Sequence, residues 1–210
     1  MKAFRILALL AMALLGAAPA QSQVEGQQYQ RLSPAQTPST PGKIEVLEFF
    51  SYGCPHCYAL HPLISEWSAK LPKNVVVIRV PVSLGHREWG QLSRAYYALE
   101  ATGDLARLDN ALFEAIHKEK RPLFDEVSIT GWVAQHGVNA EKFRNEFNSF
   151  AVTTKATRAE QLSRNYQVSS IPQLSVGGKY TVLGRTYDEM LKNARLLIDK
   201  SASEKQAANH

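Results

Sequence analysis

The chain has 210 residues, 45% of them hydrophobic and 20% charged, with 24 Lys and Arg against 19 Asp and Glu and a formal net charge of +5. Once a leader is set aside, about 190 residues remain, enough for one well-filled core or for one domain with an insertion. The basic residues are spread along the chain rather than blocked, so the charge argues against a nucleic-acid or membrane-surface role.

Residues 1–20, "MKAFRILALLAMALLGAAPA", have the layout of a cleaved secretory signal peptide. Lys2 and Arg5 form the positive start, residues 6–15 the apolar stretch, and Ala18, Pro19 and Ala20 the small-residue cleavage site. The apolar run is too short to span a bilayer, and no cysteine stands at the cleavage point to carry a lipid. A mature chain starting near Gln21 is expected to be secreted and soluble. Losing two basic residues and no acid takes its charge from +5 to +3.

Residues 33–42, "SPAQTPSTPG", read as a surface loop. "KIEVLEFF" (43–50) and "NVVVIRVPV" (74–82) are β-prone runs, and residues 55–71 between them have helical composition and length. Strand, helix and strand in that order make a βαβ unit with parallel strands. Residues 86–149 read as helical, punctuated by Gly103, Pro122 and Gly137. Thr186 and Glu189 form a capping box that opens a final helix, and the polar tail 201–210 is expected to fray. Trp89, Tyr96 and Tyr97 read as helix-face core, with a groove-lining role as the alternative. His86, His117 and His136 read as surface residues.

The two cysteines, Cys54 and Cys57, stand two positions apart in "GCPHC". As a structural staple so short a loop contributes only roughly 2 kcal/mol in the loop-entropy account. Zinc needs three or four protein ligands; Cys54, Cys57 and His61, with His56 in reserve, have no second Cys pair or His-x₃-His partner. Haem attachment needs His directly after the second Cys, where Tyr58 stands. Redox chemistry remains, because the pair falls at the strand-to-helix turn, where open α/β sheets place their reaction sites.

With Cys54 as N-cap, Pro55 occupies the first helical position, where its missing N–H costs nothing. The Cys54 sulfur then faces the N–H groups of His56 and Cys57, and the helix dipole favours its thiolate. Moving a thiol from about 8.5 to about 5 requires roughly 4.8 kcal/mol. The dipole supplies at most about 2 kcal/mol of that, which leaves the rest to N–H bonds and to His56. Stabilising the thiolate stabilises the reduced protein and makes the disulfide more oxidising. Cys54 is assigned as the attacked sulfur and Cys57, pointing inward, as the resolving thiol. Period-two alternation puts Ile44, Val46, Glu48 and Phe50 on one strand face and Glu45, Leu47 and Phe49 on the other. One of the two acids is therefore expected inside. Glu48, beneath the pair, would exchange a proton with Cys57; the alternative is a Glu held by a lysine at the sheet edge. Pro62 is expected to kink the helix.

"VLEFFSYGCPHC" resembles the active-site segment of the DsbA family of periplasmic thiol:disulfide oxidases. The resemblance implies an α/β thioredoxin fold, a central mixed β-sheet flanked by helices, with an inserted all-helical domain. It extends over most of the mature chain, with residues 25–32 as the first strand and lead-in and 151–166 as the return helix. Residues 21–85 and 150–200 would form the thioredoxin-like domain, and 86–149 the insert. "SSIPQLSVGGKYTVLG" is similar to the family's cis-proline loop followed by a hairpin turning at Gly177 and Gly178. Pro172 would then be the cis-proline facing the Cys pair, and Ile171, in place of the usual valine, would offer its backbone to an extended client peptide. Pro62 is nearer the thioredoxin pattern, which keeps a reductant as one alternative; a non-catalytic thiol metal carrier is another. The resemblance further implies secreted client proteins with free thiols, a quinone-linked membrane reoxidase of the DsbB type, a periplasmic monomer, and no bound cofactor.

Overall fold

All seven residues of strand β2 (Ile44–Phe50) are buried, as a central parallel strand covered on both faces should be. The computed structural model describes residues 23–207, so the signal peptide expected at 1–20 lies outside the described residues. Five strands form one sheet in the order β1-β5-β4-β2-β3, with β1 at Tyr29–Arg31, β3 at Val75–Pro81, β4 at Gln173–Val176 and β5 at Tyr180–Val182. β2 and β3 pair in parallel and the other pairs are antiparallel, so the sheet is mixed. A parallel pair needs a long crossover, and helix α1 (Pro55–Ala69) supplies it. The helix runs on through Pro62.

Four helices lie between β3 and the return to the sheet: α2 (Arg87–Thr102), α3 (Leu105–His117), α4 (Glu126–Gln135) and α5 (Ala140–Phe147). Helix α6 (Phe150–Asn165) leads back to β4, and α7 (Tyr187–Ala207) ends the described chain. The helix starts follow local chemistry. Asp125 and Ser128 form a reciprocal capping box on α4, and Asn139 and Ser149 accept from the first-turn N–H groups of α5 and α6. At α7, Thr186 accepts from Glu189 N as expected, but the Glu189 carboxylate accepts from Arg185 N, one residue before the cap. The β4–β5 hairpin turns through Gly177, Gly178 and Lys179, with Val176 and Tyr180 paired across it; both glycines have positive φ (+62° and +71°) and Lys179 N donates to Val176 O. This is the thioredoxin fold with a helical segment between β3 and α6.

Burial falls into three clusters. One side of the sheet packs Ile44, Val46, Leu174 and Val176 against Leu60 and Ile64 of α1 and Leu197 and Ile198 of α7. The opposite side packs Leu47, Phe49 and Val80 against Ala159 and Tyr166. The third cluster is the core of the helical segment, with Leu92, Leu99, Leu112, Phe113, Trp132 and Phe143, and it continues without interruption into Phe50, Tyr52, Cys54 and Cys57. The chain boundary expected at 85/86 is thus not a boundary between cores.

Two expectations are corrected. The tail does not fray from residue 201, because α7 continues to Ala207. Glu204 accepts from Tyr180 OH at 2.5 Å and from Lys179 Nζ at 2.9 Å, and Lys205 Nζ donates to Lys43 O, which docks the last turns on the hairpin and on the residue before β2. Both Glu45 and Glu48 are buried, not one of them. Glu45 is held by the loop at 33–42: Ser39 N, Ser39 Oγ and Thr40 Oγ1 all donate to its Oε2.

Candidate functional site

Cys54 is the N-cap of α1, with extended backbone (φ −89°, ψ 117°) and Pro55 in the first turn. Both cysteines are free thiols and both are buried, Cys54 at 4% exposure and Cys57 at none. In its protonated form the Cys54 thiol makes no capping bond to the helix. It donates instead to the Ile171 carbonyl at 3.6 Å. The Ile171–Pro172 peptide is cis, and this carbonyl brings the loop before β4 against the Cys pair. Beside Pro172 a recess of about 290 Å³ opens, with Gln30, Ser170, Gln173 and Met190 in its wall.

The two thiols are driven apart. Cys54 is pulled down to about 6, first by the hydrogen bond that the Cys57 thiol donates to it, then, against the penalty of burial, by the backbone N–H groups of Cys57 and His56 and last by the His56 ring. Cys57 is pushed up by its burial, by that same hydrogen bond and by the neighbouring Cys54 and Glu48 charges. The largest help to the thiolate is therefore the partner thiol, not the N–H groups and His56 on which the sequence reading rests. His56 Nδ1 lies 3.2 Å from Tyr187 OH. Burial, followed by the charges of the two cysteines, raises the Tyr187 phenol.

Beneath Cys57 lies a set of charges that are buried or partly buried. Glu48, 1% exposed, is the register partner of Arg79 in the β2–β3 ladder, and Arg79 Nε donates to its Oε2 at 2.9 Å. The cation is an arginine on an edge strand rather than a lysine. Its guanidinium carbon sits 3.9 Å from the Phe50 ring centre, a desolvated cation–π contact. Burial raises the Glu48 carboxyl above the usual range, against the pull of Arg79. Arg79 Nη1 also donates to Asp109 Oδ2 at 2.5 Å, and Tyr52 OH donates to Asp109 Oδ1 at 2.5 Å.

Asp109 belongs to a stripe on α3. Asp109, Phe113 and His117 fall at i, i+4 and i+8, hence on one helix face. Phe113 meets Tyr52 and His61, and His117 stacks on Tyr58 (5.1 Å, 12°) while its Nε2 lies 2.7 Å from Tyr52 O. His117 is half-buried rather than a surface residue, as is His136, whose Nδ1 lies 2.8 Å from Trp132 O; His86 is exposed. Trp89 packs partly buried against the core beside the pair, on Gly53, and Tyr97 is also partly buried against the core. Tyr96 is core.

Sequence reasoning names Cys54, Cys57, His56, Glu48, Ile171 and Pro172 as site residues, and the structure gathers them around the head of α1 and the end of β2. Sequence reasoning does not single out Arg79, Asp109, Tyr52 and Tyr187, which the structure places next to them. The α3 spacing is readable as a helix face, but not what that face covers. His61, weighed as a zinc ligand, lies instead 3.5 Å from Asp109 Oδ2. Among the described residues there is no group of three or more His, Cys, Asp or Glu placed to hold a metal ion.

A model of the DSBA-like thioredoxin domain matches residues 45–194, which include every element from β2 into α7. The thiol:disulfide interchange protein DsbA of Pseudomonas aeruginosa is 42% identical over 198 residues, covering 92% of this chain and 93% of that protein. The protein of the same name from Bordetella pertussis is 39% identical over 201 residues, covering 92% and 95%. The crystal structure of Pseudomonas aeruginosa DsbA superposes with a TM-score of 0.82 at 40% identity, covering 90% of this chain and 97% of that one. The oxidoreductase DsbA from Xylella fastidiosa gives a TM-score of 0.81 at 29% identity, covering 86% and 98%. A buried Cys-Pro-His-Cys at the head of α1, a cis-proline loop against it, and a match over nearly the whole length of these proteins lead to one conclusion: the chain belongs to the DsbA family of thioredoxin-fold proteins.

Proposed function

We propose that this protein donates its Cys54–Cys57 disulfide to secreted proteins that are still folding, in the periplasm. Its class, thiol:disulfide oxidoreductase, follows from the family and the close relatives. The observation that carries the direction of the chemistry is the splitting of the two thiols, Cys54 down to about 6 and Cys57 up. A thiol of low pKa is both the better leaving group and, in the reduced protein, the stabilised one.

The steps follow from these roles. A client thiolate attacks Cys54 Sγ, breaking the Cys54–Cys57 bond and forming a client–Cys54 disulfide. Cys57 leaves as a thiolate and takes up a proton, for which Glu48 is the buried acid beside it. A second client thiolate then attacks the client sulfur, closing the client disulfide and expelling Cys54 as its thiolate. The client loses two electrons and the protein gains them. Reoxidation by a quinone-linked membrane partner of the DsbB type reverses the first half, with Glu48 receiving the Cys57 proton. Ile171 and Pro172 would receive the client backbone as an added strand, and the recess beside Pro172 gives the client's polar side chains room. Among the described residues no helix is long and apolar enough to cross a membrane, which accords with a partner supplying the membrane step. Pro55 keeps the head of α1 open for the thiolate.

The test is the redox equilibrium of residues 21–210 in glutathione buffers. A potential near about −120 mV supports the oxidase. A value near about −270 mV would make the protein a thioredoxin-like reductant. Tight stoichiometric metal binding that needs both thiols would favour the carrier.

A further inference from the structure

We propose that Asp109 is a positioning residue of the redox site: from helix α3 it anchors Arg79 against Glu48 beneath Cys57, and its negative charge restrains the oxidising power of the Cys54–Cys57 pair. The proposal rests on the reading of that pair given above.

Its basis is the convergence on one carboxylate of three elements that frame the pair. Tyr52 OH, two residues before Cys54, donates to Oδ1 at 2.5 Å. Arg79 Nη1, from β3, donates to Oδ2 at 2.5 Å. His61 Nε2, one helical turn after Cys57 on α1, stands 3.5 Å from the same oxygen. Asp109 thus holds by hydrogen bonds the strand end that carries the Cys loop and the cation that pairs Glu48, and it lies beside the helix that the loop opens. The tie is made by a helix of the inserted segment, which also shares its core with the two cysteines.

Two carboxylates, Glu48 and Asp109, face the Arg79 guanidinium, and His61 Nδ1, Arg79 Nη2 and Glu48 Oε1 are buried without a protein partner. Burial holds the Glu48 carboxyl toward its neutral form, so Asp109 is the carboxylate that cancels the Arg79 charge beneath the Cys pair. Without Asp109, Arg79 would turn its full charge on Glu48 and the sulfurs. The reduced protein would then be held more strongly. The direction is opposite to what simple damage would give, and this makes the claim testable.

The experiment compares wild type and Asp109→Asn in three measurements: the glutathione redox equilibrium, the titration of the Cys54 thiolate by its ultraviolet absorbance, and urea unfolding of both redox forms. The amide keeps the shape and an acceptor for Tyr52 while removing the charge. Asp109→Asn is expected to shift the equilibrium toward the reduced protein by about tenfold, the scale of one charge acting through a partly buried site, and to lower the Cys54 titration midpoint. Asp109→Glu should restore the wild-type equilibrium. An unchanged equilibrium with equal loss of stability in both redox forms would reduce Asp109 to a structural tie and overturn the proposal, as would a shift toward the oxidised protein. If the amide does not fold, Tyr52→Phe decides: losing the donor leaves the Asp109 charge less shielded and shifts the equilibrium the other way by a smaller factor, and no shift overturns the proposal. A wild-type protein that does not exchange with glutathione at all would instead refute the reading of the Cys pair, independently of any Asp109 variant.

Discussion

Glu48 and Arg79 stand opposite each other in the parallel β2–β3 ladder, joined by a 2.9 Å hydrogen bond from Nε to Oε2. Glu48 is buried and Arg79 mostly so, at 1% and 17% side-chain exposure, and such a pair is costly to break by halves: removing one partner leaves a desolvated charge, at a cost of about 3–5 kcal/mol. Arg79→Met, which leaves both Glu48 and Asp109 without their cation, should therefore lose stability on that scale in urea unfolding. Glu48→Gln, which keeps an acceptor for Arg79 and removes a carboxyl that burial already disfavours as an anion, should lose less. Equal losses would show that the two groups are not an interacting pair.

Glu48→Gln should also slow the step in which Cys57 gives up its proton. Reoxidation by a small disulfide, followed in single turnover, should slow by about a hundredfold, the lower end of the range for a positioned general base. The client-side attack on Cys54 should change little. A reoxidation rate equal to that of wild type would remove Glu48 from the proton path.

The Cys54 thiolate owes most to the hydrogen bond from Cys57 and least to His56. Cys57→Ala should therefore raise the Cys54 titration midpoint from about 6 by more than His56→Ala does. Cys57→Ser, which keeps a donor, should fall between Cys57→Ala and wild type. Alkylation rate against pH measures all three. A larger effect from His56 than from Cys57 would return the explanation to the cation.

The depressed Cys54 pKa has a consequence for stability. In the reduced protein the folded value is about 6 and the ordinary thiol value is 9.0, so between them the unfolded chain binds more protons than the folded one. Stability of the reduced form therefore rises across that window, by at most about 1.4 kcal/mol per pH unit, and is lost as pH falls through the folded value. Cys57 is shifted the other way; its contribution is intact across the window and is lost only at more alkaline pH. The oxidised form has neither thiol. The difference between the reduced and oxidised urea midpoints should grow in favour of the reduced form from about pH 6 to about pH 8. A difference that does not change with pH would contradict the low Cys54 pKa.

Gly53, directly before Cys54, has the Trp89 indole where a side chain would begin. Gly53→Ala must displace Trp89 and is expected to cost about 1–3 kcal/mol as an overpacked contact. A shifted tryptophan fluorescence spectrum in the folded variant would accompany it. An unchanged spectrum and unchanged stability would mean that the ring does not lie against the Cys loop.

The local features of this protein are legible in its residues alone. The β2 residues alternate, the helix begins with Pro after Cys, and the Gly177-Gly178 turn names its own conformation; each is decided within a few residues by backbone geometry and burial. Those features put the Cys pair at the strand-to-helix turn and Glu48 on the strand beneath it. The hairpin and the cis-proline loop come with the family resemblance, since nothing local marks Pro172 among the ten prolines.

What lies beneath Cys57 is decided only by tertiary packing. Arg79 is 31 positions from Glu48 and Asp109 is 57 from Tyr52, and no local preference links them. They meet because α3 docks its Asp109–Phe113–His117 face on the Cys loop, and a sequence shows that a helix has such a face without showing its partner. The tail is the same case: its polar residues read as solvated, yet Glu204 finds Tyr180 and Lys179, and the last turns of α7 stay ordered against the sheet. Periodicity determines which side of an element is buried. Only the three-dimensional packing of distant elements determines which charges are buried together.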